Sequence, residues 1–160
     1  MKPLVTEEIV EQTLGAFEVA SPEEREAMRQ GCGPFQEDLA GFVAAFSMGL
    51  PDRERGLTLA LLALIIDAFR RTGATFRKIR KGEILHAWKA SAAFVRDLQT
   101  KPEGPVTVAE PELMLLILDL VIGSDPANLD PDAPSLVSVR ILKTAADCIH
   151  RAGALPAARR

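Results

Sequence analysis

Apolar residues along this chain recur every three to four positions and almost nowhere at every second one. That spacing gathers them on one face of a 3.6-residue turn, so the pattern predicts an all-α protein with strand signals nearly absent. Tyr is absent and Val or Thr clusters are few, which removes much of what favours strands. A first helix is expected from about Thr6 to Val19. Thr6 caps it, Glu7 and Glu8 suit the positive end of its dipole, and Ile9, Thr13, Ala16 and Phe17 share a face. The next begins at Ser21, with Pro22 at its first position and Glu24 completing a capping box, and ends near Gly31. A third starts at Pro34 and carries Phe35, Leu39, Phe42, Val43 and Phe46 on one side.

Pro51 opens a fourth helix that reaches about Arg71, with Gly73 as its left-handed stop. A fifth lies between Phe76 and Gln99, with Ile84, Trp88, Ala92, Val95 and Leu98 as its stripe. A sixth runs over about 112–122, and a seventh from its cap Ser135 to about Ala152, where Gly153 ends it. The helices at about 52–71 and 112–122 are apolar nearly all round and are expected to be the inner ones. The architecture expected is a single all-helical domain over residues 1–160, a compact bundle of about six to seven helices. Residues 1–50 would pack on a 51–153 core of two helical hairpins, with a frayed tail at 154–160.

The most apolar run, Leu57 to Phe69, is 13 residues long and is interrupted by Asp67. A spanning helix needs roughly 20 residues, so the run reads as core and no membrane contact is expected. Hydrophobic residues make up 48% and charged residues 26% of the 160, a globular composition that argues against disorder. A net charge of −3 disfavours an overall basic nucleic-acid binder. Cys32 and Cys148 stand far apart, in neither a metal-ligand nor a disulfide pattern. With no signal-peptide pattern at the start, a cytoplasmic protein with reduced thiols is expected.

Charge changes the picture more than composition does. Arg70 to Lys89 holds seven basic residues against one acid, Glu83, a net of +6. Pro102 to Val139 holds seven acids and no Lys or Arg. Arg70, Arg71, Arg77, Lys78, Arg80 and Lys81, with Phe76 among them, make a basic hairpin at 70–81. Arg70 and Arg71 complement the negative end of the fourth helix, and backbone N–H groups just after Thr75 are expected to be able to receive an anion. One aromatic is too few for a base-stacking platform, and no helix-turn-helix or RNA-module motif accompanies it. The function expected is therefore a non-enzymatic interaction or regulatory protein that binds an acidic protein surface through Arg70, Arg71, Phe76, Arg77, Lys78, Arg80 and Lys81. The acidic loop of a second copy, in a homo-oligomer, is one such surface. A merely solubilising hairpin tip and a nucleic-acid-binding accessory subunit are the other readings.

One constellation suggests metal chemistry instead. Both histidines stand in acid-x-x-His pairs, Glu83 with His86 and Asp147 with His150, and Asp67 and Asp119 interrupt the apolar helices. Such sets ligate metals in carboxylate-bridged, oxidoreductase-like bundles. Three points weigh against it, and no cofactor is expected. The helical wheel places Asp147 and His150 on the water-facing stripe of Arg140, Lys143, Thr144 and Arg151. Asp67 has Arg70 and Arg71 at i+3 and i+4 to pair with. Asp119 and Asp147 are offset along their helices by roughly 12 Å at about 1.5 Å per residue. Asp119 has no basic neighbour on its own helix and is expected to need a partner from elsewhere. Asn128, Asp130 and Asp132 alternate as in a calcium loop, but Ala133 stands where its glycine belongs and no closing glutamate follows. Cys32 reads as a structural thiol in a tight turn. Cys148 and His150, two apart on a helix, do not face each other.

Overall fold

The structure is a computed structural model, which describes residues 2–100 and 108–156. It is the expected all-α bundle: α1 (Glu7–Val19), α2 (Pro22–Gln30), α3 (Cys32–Phe35), α4 (Glu37–Ser47), α5 (Asp52–Arg71), α6 (Lys81–Thr100), α7 (Pro111–Val121) and α8 (Pro134–Ala152). Two-residue strands β1 (Thr75–Phe76) and β2 (Gly153–Ala154) pair antiparallel, Thr75 opposite Ala154 and Phe76 opposite Gly153. Among the described residues no helix is long and apolar enough to cross a membrane.

The local signals at the N-terminus act as their chemistry requires. Thr6 Oγ1 accepts from the Ile9 N–H at 3.3 Å. Ser21 and Glu24 form a reciprocal capping box, each side chain accepting from the other's backbone N–H. Gly73 takes φ +73° just after α5, a conformation that a Cβ would strain.

The centre of the bundle is α8, buried on nearly every side from Ser135 to Ala152. It packs on α4, α5, α6 and α7, so α5 and α6, neighbours in sequence, meet chiefly through it. The buried stretch of α5 from Leu61 to Phe69 supplies the second inner helix. Where the two touch, Thr58 donates to its own Glu54 carbonyl at 2.7 Å and shares a hydrogen bond with the Ser138 hydroxyl at 2.9 Å, so neither buried polar group is stranded.

Several expectations shift. The 112–122 helix is not enclosed: α7 buries Leu113, Met114, Ile117 and Val121, while Leu115 is 59% and Leu120 43% exposed. An all-apolar sequence does not say which sides find neighbours. The helix expected from Pro34 breaks at Gln36, whose backbone is extended between α3 and α4. Helix α6 starts at Lys81, because Thr75–Phe76 is drawn into the strand pair and Ile79 is buried. Ser135 does not cap α8, since Ala133 holds that position and the Ser135 hydroxyl donates to Asn128 Oδ1 at 2.9 Å. At the tail, Ala154 is ordered by β1, Leu155 and Pro156 are exposed, and 157–160 lie outside the described residues. Of the loop at 101–111, 101–107 lie outside them as well.

Candidate functional site

The basic segment folds as an extended run held from below. Ile79 is buried, which fixes the run to the core and leaves Arg77, Lys78, Arg80 and Lys81 at the surface. The Arg77 N–H donates to the Ala152 carbonyl at 3.0 Å, continuing the β1–β2 pairing. Buried Gln36 completes the hold: its amide donates to the Arg77 carbonyl and its Oε1 accepts from the Ile79 N–H, both at 2.9 Å. A primary amide satisfies a strand's donor and acceptor together, so Gln36 acts as a one-residue neighbouring strand. This is why the helix breaks there.

Of the seven residues named for partner contact, four are engaged within the chain. Arg70 lies 5.0 Å from the centre of the Phe35 ring and donates to the Gly31 carbonyl. Arg71 pairs with Asp67 at 3.0 Å. Phe76, expected to face a partner, is half-buried and meets Phe35 and Phe69 edge-on, so it belongs to the core edge. Arg77 pairs with Glu83 at 2.6 Å. Lys78, Arg80 and Lys81 are exposed, and their side chains make no ion pair among the described residues.

Glu83 also settles the anion question. Its carboxylate accepts from the Arg80 backbone N–H at 2.8 Å, at the start of α6. The hydrogen bond from Arg77, then that from Arg80, hold its pKa down at about 2. The helix start expected just after Thr75 is thus five residues further on and already carries an internal anion.

The six residues considered for a metal are dispersed into separate pairs or point to solvent. Asp67 and Glu83 are held by arginines as above. His86 and Asp119 are exposed, so Asp119, expected to need a partner, is solvated instead. Asp147 pairs with Lys143 at 2.5 Å. His150, expected to face water, is 3% exposed and its Nδ1 lies 2.7 Å from Glu110 Oε1. The wheel reading failed because it assumed that α8 had an outer face. Among the described residues no three His, Cys, Asp or Glu side chains stand where one ion could be shared.

Glu110 was missed by sequence reasoning. It is 2% exposed, and besides His150 it accepts from the Leu4 and Val5 N–H groups at 2.7 and 3.0 Å. It ties the N-terminal segment, the start of α7 and the end of α8 together. Its place in a loop next to Pro111 gave no local sign of this.

A cleft of about 260 Å³ is lined by Gly82, Glu83, His86, Cys148 and Arg151. Burial, with Asp147 adding to it, pushes the Cys148 thiol up to about 11, so it is protonated at neutral pH. Glu83, the cleft's carboxylate, is already occupied by Arg77. Burial also raises the Cys32 thiol, against an opposing pull from Arg70. Neither cysteine has the low-pKa setting of a nucleophile. Asn128, in the loop likened to a calcium site, donates to the Ile122 carbonyl at 2.8 Å and accepts from Ser135, which makes it a brace. Comparisons with protein-family models, curated proteins and solved structures find no match.

Proposed function

We propose that this chain is a helical interaction protein that docks an acidic protein surface through the exposed cations Lys78, Arg80 and Lys81. The observation that carries the reading is the rigid mounting of this edge. Buried Ile79, the Gln36 amide and the strand pair hold the backbone from which the three side chains project. A mounted set of cations loses less conformational entropy on binding than the same residues on a mobile loop. The basic surface also steers encounter with an acidic partner. Arg70, Arg71, Phe76 and Arg77 are no longer contacts in this reading; they build the mount.

The test is a double charge reversal, Lys78→Glu with Arg80→Glu. Both side chains are exposed and neither makes an ion pair among the described residues, so the melting temperature should stay nearly unchanged. Capture from cell extract by the wild type should yield partners that the variant loses. Identical partner sets with both would refute the proposal. Gel shifts with DNA and RNA at low salt separate the nucleic-acid reading, since such binding falls steeply and linearly in log salt.

A further inference from the structure

The outward half of α7 has an unusual make-up for a surface. Read round the helix at 3.6 residues per turn, it runs Leu118, Leu115, Asp119, Glu112, Leu116, Leu120: four leucines flanking two acids, with no cation. Leu115 and Leu120 are well exposed, and Leu116 and Leu118 half-buried. Leucines left exposed on both sides of an acid pair suit an interaction site better than a bare solvated face.

The same chain carries its complement. On α6, Lys81, Leu85 and Lys89 follow one another at i, i+4 and i+8, all exposed, Leu85 by 51%. One helix thus shows Lys-Leu-Lys in a row, and the other Glu112-Leu115-Asp119. At about 1.5 Å per residue the acids stand about 10 Å apart and the lysines about 12 Å, a mismatch that flexible lysine stems absorb. Beside Leu85 a groove of about 450 Å³ opens between α4 and α6, with Phe42 and Ile84 on its walls, where an incoming leucine fits. Glu37 and Asp38 on the groove's far side repel the acids of α7 and so set them against the lysines.

We infer that α7 of one copy docks on the α6 face of a second, Glu112 and Asp119 meeting Lys81 and Lys89 while Leu115 enters the groove beside Leu85. A single helix-on-helix contact sits at the small end of specific interfaces, below about 1,200 Å², so the association is weak and salt-sensitive. It goes beyond the docking reading above and shares only Lys81 with it. The Lys78→Glu, Arg80→Glu variant leaves this stripe intact, so the two proposals stand or fall separately.

Sedimentation or light scattering over a concentration series reads the result. The wild-type mass should climb above the single-chain 17.3 kDa as concentration rises, and return to it in high salt. The variant Lys81→Glu, Lys89→Glu and the variant Glu112→Lys, Asp119→Lys should each stay at the single-chain mass. An equimolar mixture of the two should associate again, since each reversed stripe then faces its complement. Leu115→Ser should weaken association with no change of charge. A wild type that keeps the single-chain mass at every concentration overturns the inference. So does association that survives both reversals, or a mixture that fails to re-associate.

Discussion

Glu110 should be a costly side chain to alter, although it is polar. Its carboxylate accepts three hydrogen bonds, from the Leu4 and Val5 amides and from the His150 ring, inside a site almost closed to water. A carboxylate only accepts, so the His150 Nδ1 is the donor. Glu110→Ala removes the acceptor from three donors at once. Each buried group left without a partner costs about 1–3 kcal/mol. The Val5 amide lies at a fully buried residue and bears the full cost, whereas Leu4 is half-buried and recovers part of it from water. The sum comes to about 3–5 kcal/mol, a large share of the 5–15 kcal/mol typical of a domain. For a chain of this length that lowers Tm by roughly 10 °C.

Glu110→Gln keeps the shape and one acceptor oxygen but turns an NH2 toward a donor, so it should cost about 1–2 kcal/mol and remain folded. Urea unfolding gives both values. Amide exchange at Leu4 and Val5 gives the local one: the amide that faces the Gln NH2 should lose protection, while its neighbour on the remaining oxygen and the centre of α8 keep theirs. A Glu110→Ala midpoint within about 1 kcal/mol of wild type, or unchanged exchange at those two amides, would refute the account.

Three other outcomes follow from the same geometry. A Cβ on Gly153 would lie 2.7 Å from Leu4 Cδ1 and 2.8 Å from Phe76 Cε1, so Gly153→Ala must displace both side chains and should cost about 1–3 kcal/mol in thermal or urea unfolding. Glu83 has a folded pKa of about 2, below its ordinary value of 4.5. Its contribution to stability is therefore present in full above about pH 4.5 and is lost as pH falls toward 2. Glu83→Gln should flatten that part of the acid-unfolding curve, by little, because the side chain is more than a third exposed and solvent screens it. With both thiols buried and their pKa values raised, alkylation at neutral pH should be slow in the native protein and rapid in denaturant; fast native labelling of Cys148 would contradict its place beneath the cleft.

Helices were legible wherever a signal was local. Thr6, Ser21 with Glu24, and Gly73 end or begin helices through groups within three residues of themselves, and each acts as read. The buried run of α5 was legible too, because a stretch apolar on every side between two charged ends needs an interior. The candidate surface was legible only as a cluster of charge. Which cations stay free depended on Phe35, Gly31, Asp67 and Glu83, and three of these four are not obvious partners in the chain.

By itself, then, the sequence determined that this is an all-helical chain with a basic hairpin and an acidic, cation-free stretch, because period, caps and charge are properties of neighbouring residues. The tertiary structure alone decided that α8 and not α7 lies at the centre, that Gln36 and Glu110 serve as buried braces, and that His150 is enclosed. Those outcomes turn on groups 40 to 106 residues apart meeting in a low-dielectric interior, where an unmet hydrogen bond is costly. No pattern along a single helix records that cost. It arises only when the elements pack and each buried polar atom must find its partner across the fold.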